Sequence, residues 1–137
     1  MSATKILKLM KEKEVDYVDL RFTDPRGKLQ HLTMDGKIVD EEMLNKGVYF
    51  DGSSIAGWKA INESDMILKP DLERQVIDPF TSHNTLVLFC DVLDAVKKDP
   101  YERDPRSTAK KAEVYLKKSG IGDKANFGPE AEFFVFD

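Results

Sequence analysis

Two stretches carry residues whose types and spacing could do chemistry. One is Gly128-Pro129-Glu130-Ala131-Glu132-Phe133-Phe134-Val135-Phe136, near the carboxyl end of the sequence. In an extended strand, side chains two apart share a face, so Glu130 and Glu132 project together while Ala131, Phe133 and Val135 face the other way. Two like charges side by side repel, and without a compensating cation one carboxylate is pushed toward protonation. Hard divalent cations such as Mg2+ or Mn2+ accept this oxygen-rich arrangement. The same spacing also describes an ordinary strand whose polar face meets solvent. A glycosidase-like acid and nucleophile pair fails on geometry, because same-face neighbours on one strand lie about 6 to 7 Å apart along the chain and cannot easily straddle a sugar bond.

The other stretch is Phe50-Asp51-Gly52-Ser53-Ser54-Ile55-Ala56-Gly57-Trp58. An aspartate, two glycines and two serines make a loop of unusual backbone freedom, with Phe50 and Trp58 bulky enough to anchor its ends. A loop held this way can present a carboxylate. Alternatively, Asp51 and the serines satisfy local backbone groups in an Asx-type turn and Trp58 is a core residue.

The elements that must position these residues follow from periodicity. Ile6, Leu7 and Met10 fall at helical spacing over residues 4–13, with Ser2 or Thr4 available as cap. Residues 15–22 alternate, with Val18, Leu20 and Phe22 on one side and Asp19 and Arg21 on the other, as in a half-buried strand. Turn residues Asp24-Pro25-Arg26-Gly27 precede a returning strand over 28–34, which makes a hairpin. Asp40 caps a short helix through Asn45, with Glu41 and Glu42 at its positive end and Gly47 as its stop. Strands are expected over 65–68 and 85–92, the second an apolar run too long to have one face in water. This order points to a small α+β sheet domain ending near residue 95.

A charged stretch with two prolines, residues 97–105, reads as a linker. Asp104 as cap and Pro105 at the first position open a helix that Gly120 ends, with Ala109, Ala112 and Leu116 on its buried face. A strand over 126–136 follows. A single helix and strand bury each other's apolar faces poorly, so a packing partner for them is expected elsewhere.

Composition excludes other classes. The net charge of −4, with both signs interspersed, leaves no large positive field to gather phosphate backbones, so nucleic acid is not an expected partner. No stretch approaches the roughly 20 apolar residues that span a bilayer, and no apolar signal core follows the opening Met1-Ser2-Ala3-Thr4-Lys5. No membrane partner and a cytoplasmic location are expected. The lone cysteine, Cys90, lies within the run Leu86-Val87-Leu88-Phe89-Cys90 and reads as a small buried hydrophobe.

Val18-Asp19-Leu20-Arg21-Phe22-Thr23-Asp24, the loop Asp51 to Trp58, Asn62-Glu63-Ser64-Asp65-Met66 and Gly128-Pro129-Glu130-Ala131-Glu132-Phe133 together resemble type I glutamine synthetases, the bacterial ring-forming class. The resemblance spans essentially the whole chain. It implies a β-grasp amino-terminal domain over residues 1–96, a linker over 97–105, and the first helix and strand of a truncated α+β catalytic domain over 106–137. It also implies a homododecamer of two stacked six-membered rings, with active sites between adjacent identical subunits. The implied enzyme is a ligase: ATP phosphorylates the γ-carboxylate of glutamate, and ammonia then displaces phosphate to give glutamine.

By the same resemblance Glu130 and Glu132 are metal ligands, each for one of two divalent ions, Mg2+ or Mn2+. Asp51 is the catalytic residue that reaches into the adjacent subunit's site, binds ammonium and takes a proton from it, since only neutral ammonia has a lone pair to attack with. Ser54 helps hold that loop or the ammonium pocket. No residue of this stretch is assigned to holding the ATP substrate. The family's further glutamates, metal-binding histidine and arginines are expected beyond Asp137; His31 and His83 lie outside the metal motif and read as solvated or locally bonded. The 137-residue chain alone is therefore expected to be inactive. The competing reading is a non-catalytic β-grasp module for subunit contact.

Overall fold

The structure, a computed structural model, describes residues 1–58 and 64–137. Its frame is a five-stranded sheet in the order β2-β1-β5-β4-β3, built from β1 (Tyr17–Thr23), β2 (Leu29–Asp35), β3 (Val48–Asp51), β4 (Asp65–Ile77) and β5 (Thr85–Asp94). β1 runs parallel to β5, and the other pairings are antiparallel. Two helices, α1 (Ala3–Glu12) and α2 (Glu41–Lys46), supply apolar side chains to the core, and α3 (Pro105–Ser119) follows the sheet. This is the mixed α+β arrangement that the strand and helix order led us to expect.

Local chemistry explains the elements. Ser2 caps α1 through the Lys5 amide, and the helix buries Ala3, Ile6 and Met10. The hairpin turn between β1 and β2 is held by Asp24, whose carboxylate accepts the Arg26 and Lys28 amides at 2.9 Å and the Gln30 side-chain amide at 2.9 Å. Asp40 caps α2 by accepting the Met43 amide at 2.7 Å. Gly47 stops that helix at φ +88°, where a Cβ would also meet the Leu68 carbonyl oxygen at 2.5 Å, so a side chain is excluded twice over.

The core lies between α1, α2 and the inner face of the sheet, where Val18, Leu20, Leu44, Met66, Leu68, Leu86 and Leu88 are fully buried. Central β5 buries Leu86, Val87 and Leu88 in succession, as its continuous apolar run requires. Cys90 is buried among them, and burial pushes its thiol far above the usual range. It is a packing residue.

Four expectations need correction. Asp19, placed on the solvent side of β1, is almost wholly buried. Register sets its cross-strand partner Thr33 and the neighbouring pair Arg21 and His31 around it. Its carboxylate accepts Arg21 Nε at 2.7 Å and Thr33 Oγ1 at 2.7 Å and lies 2.8 Å from His31 Nδ1. β4 runs far past the expected 65–68 and carries a register irregularity between Pro70 and Gln75, which is how a proline is tolerated inside it. α3 begins as expected at the Asp104 cap, but Ala109 and Ala112 are exposed and Leu116 only half-buried. It is tied down instead by Arg106, which donates to Asp91 Oδ1 at 3.0 Å and Asp71 Oδ2 at 2.7 Å, and by Lys110 on Asp91.

The fourth correction concerns the carboxyl-terminal segment. Residues 126–136 form no strand; they are exposed chain without regular secondary structure. A strand is stable only when a neighbour takes up its N–H and C=O groups, and among the described residues none pairs with this segment.

Candidate functional site

β3 ends at Asp51, which sits opposite Asp65 of β4, and the chain turns at once into a 3-10 turn over Gly52–Ser54. The turn is tight because Gly52 donates its amide to the Ser64 carbonyl at 2.7 Å and lies against Met66. A Cβ on Gly52 would stand 2.2 Å from the Met66 sulfur, so only glycine allows the loop this close to β4.

The Asp51 side chain is exposed and caps the turn. Its Oδ1 accepts the Ser53 hydroxyl at 2.6 Å and the Ser53 amide at 2.9 Å. The Ser53 hydroxyl, then the Ser53 amide, with a smaller contribution from the Ser64 hydroxyl, hold the Asp51 carboxyl below its ordinary value against a weak opposing effect of burial. A carboxylate of this kind stays ionised throughout the neutral range. It is a strong attractor of cations and, while those bonds persist, a weak acceptor of protons.

At the other end of the loop Trp58 is buried in an aromatic cluster. Its ring lies 5.6 Å from Phe22, 6.1 Å from Phe50 and 5.7 Å from Tyr101, with Phe22 and Phe50 5.3 Å apart. Both readings of the loop therefore hold at once: Asp51 makes an Asx-type cap and Trp58 is core, yet the carboxylate remains presented at the surface. The Ser53 hydroxyl is bonded to Asp51, with a smaller contribution from that of Ser64, and Ser54 is exposed. The signal for Ser53 was its spacing, a hydroxyl two residues after an aspartate. Asn62 and Glu63 of the adjoining motif lie outside the described residues.

Glu130 and Glu132 occupy the exposed carboxyl-terminal segment, and the structure does not bring them to Asp51. Their carboxylates are apt donors for Mg2+ or Mn2+, but two donors fall short of the six such ions take. Among the described residues no group of three or more His, Cys, Asp or Glu side chains could hold a metal ion. The pair alone does not make a metal site. His31 is bonded to Asp19, and His83 sits 3.7 Å from Asp16 with its ring edge-on to Tyr17 at 5.5 Å; both are local contacts away from the Glu130 segment.

Comparison with known proteins addresses what such a sheet and loop belong to. Residues 14–95 match the family model of the glutamine synthetase β-grasp domain, and residues 102–137 match that of the glutamine synthetase catalytic domain. The chain belongs to the glutamine synthetase family. It is 65% identical over 136 residues to the glutamine synthetase of Rhizobium meliloti, a match that covers 99% of this chain and 29% of that protein. The enzymes of Azorhizobium caulinodans and Methylococcus capsulatus are 59% and 57% identical over 99% and 100% of the chain, each covered to 29%. The chain thus spans under a third of the curated synthetases it matches. Its fold overlays a cryo-electron microscopy structure of Plasmodium falciparum glutamine synthetase with TM-score 0.78 at 23% identity, over 88% of this chain and 23% of that one. The sheet is accordingly the β-grasp of this family. Among the described residues no helix is long and apolar enough to cross a membrane.

Proposed function

We propose that this chain is the amino-terminal part of an ATP-dependent glutamate–ammonia ligase, and that Asp51 is its contribution to the ammonium site. The observation that carries the reading is the ionised, surface-presented Asp51 carboxylate at the end of β3, held by Ser53 and Ser64 in a loop that Gly52 and Trp58 fix. In the reaction, the γ-carboxylate of glutamate takes the terminal phosphoryl group of ATP, leaving ADP. Ammonia then attacks the acyl carbon and phosphate departs. The substrate in solution is ammonium, so the site must first collect a cation and then remove its proton. A carboxylate kept ionised does the first directly. It performs the second by accepting one ammonium proton at a carboxylate oxygen, which leaves neutral ammonia with a lone pair for the attack.

Glu130 and Glu132 are proposed as ligands of divalent ions, Mg2+ or Mn2+, in a site that other residues of the whole protein complete. Bound there, such ions would neutralise charge during phosphoryl transfer. A dodecameric, cytoplasmic enzyme with glutamate, ammonium and ATP as substrates belongs to the same proposal, and its support is the kinship with the bacterial synthetases. The exposed loop, which in this chain meets none of the other candidate residues, also suits a surface that contacts an adjacent subunit.

Substitution in the whole protein separates the two roles. Asp51→Ala is expected to lower ammonia-dependent turnover by about 10²- to 10⁴-fold while rings still assemble. Loss of assembly with normal turnover per ring would make the loop a contact element instead.

A further inference from the structure

The segment expected to be a linker is seated on the sheet. Leu93 and Pro100 form an isolated antiparallel bridge, the Tyr101 amide donates to the Val92 carbonyl at 2.8 Å, and the fully buried Asp104 accepts the Val92 amide at 3.4 Å while capping α3. Arg103 is carried between these two anchors. Its Nη1 donates to the Gly57 carbonyl at 2.8 Å and to the Trp58 carbonyl at 3.4 Å. One guanidinium nitrogen thus bridges the last two residues of the Asp51 loop, with the Tyr101 ring edge-on against the Trp58 indole beside it.

Within the loop the Trp58 amide donates to the Ile55 carbonyl at 3.2 Å, and the Arg103 bridge is what ties this end to the chain that follows the sheet. The Trp58 indole N–H is buried and has no acceptor among the described residues, and the ring packs against Phe22 and Phe50. Gly57, at φ +87°, has no side chain to restrain it. The opposite end is fixed by the ladder to β4 and by Ser53. The two internal bonds, Ile55 N–H to the Gly52 carbonyl at 3.1 Å and Trp58 N–H to the Ile55 carbonyl, make the stretch move as a unit, so freeing the Arg103 end would shift it and the Asp51 carboxylate with it.

We propose that Arg103 is a positioning residue for the ammonium site: by binding the Gly57 and Trp58 carbonyls it sets where the loop presents Asp51. The inference rests on the reading of Asp51 as the ammonium-binding carboxylate. Guanidinium suits the task because its donors lie in a rigid plane and its charge strengthens each bond to a carbonyl. Lysine keeps the charge and loses the plane.

The test is steady-state kinetics of the whole protein carrying Arg103→Ala, Arg103→Lys or Asp51→Ala, with KM measured separately for ammonium, glutamate and ATP. Arg103→Ala is expected to raise the ammonium KM on the order of tenfold, the scale of a sub-ångström displacement when a full ångström can cost a hundredfold. The KM values for glutamate and ATP should stay within about twofold, and Arg103→Lys should fall between the alanine variant and the parent. An unchanged ammonium KM, or an equal rise in all three, overturns the proposal. If Arg103→Ala fails to assemble, the same split in Arg103→Lys decides. Should Asp51→Ala itself leave the ammonium KM where it was, the reading of Asp51 falls and the clamp with it; if Asp51→Ala raises it and Arg103→Ala does not, only the clamp is refuted.

Discussion

The Asp51 loop and the Glu130–Glu132 segment carry the same chemical currency, carboxylates at surface positions, and differ in what holds them. Around Asp51 the chain supplies everything: a ladder partner in β4, a glycine that admits Met66, serines that bond the carboxylate, and aromatic and arginine anchors at the far end. Around Glu130 and Glu132 the described residues supply nothing beyond local sequence, and the segment has no regular structure. A loop can be organised by its own turn and by side chains that other parts of one domain bring to it, whereas a strand needs a neighbouring strand.

The contrast breaks most completely if the isolated chain makes glutamine. With ATP, glutamate and ammonium supplied, no glutamine formation is expected, and measured turnover would mean that the Glu130 segment organises itself. Next in size, Leu88→Ala in the fully buried centre of β5 should lower unfolding free energy by about 2–5 kcal/mol in denaturant titration. Gly52→Ala should cost about 1–3 kcal/mol, because the added methyl must displace Met66, and it should disturb the Asp51 loop in the same measurement.

A pH titration sharpens the comparison further. Burial alone would raise the Asp19 carboxyl, but hydrogen bonds from Thr33, Arg21 and His31 outweigh it, and the folded value lies below the ordinary one. The stability this lends is whole above the unfolded carboxylate value of about 3.9 and is lost as pH falls through the folded value. Between about pH 5 and 2, therefore, the parent should lose stability more steeply than Asp19→Asn, which has no proton to take up there. Smallest of all, Phe134→Ala should change the stability of this chain by no more than about 0.5 kcal/mol, since the ring is exposed. A large loss there would mean that the segment is packed after all.

Much of the fold could be read from residue order. The Ser2, Asp40 and Asp104 caps, the Asp24 turn and the Leu86 run each act within a few residues, so their sequence signals match the structure. β3 went unread because four residues are too few to establish alternation, and the far half of β4 because Pro70, Asp71 and Glu73 argue locally against a strand. Sheet pairing overrode those preferences. At the candidate site, Asp51 and its aromatic anchors were legible from type and spacing. Arg103 was not, because its partners lie more than 40 residues away and nothing in the charged stretch distinguishes it from its neighbours.

By itself the sequence determined the chemistry on offer: an aspartate in a glycine- and serine-rich loop, two glutamates one residue apart, and a family kinship spread over the whole length. Only the tertiary structure decided which of these is poised. It buried Asp19 in a cross-strand network, bonded Asp51 to Ser53 and drew Arg103 onto the loop. It left Glu130 and Glu132 exposed because backbone hydrogen bonds of a strand are made with a neighbour, and pairing is a property of two segments that neither encodes alone.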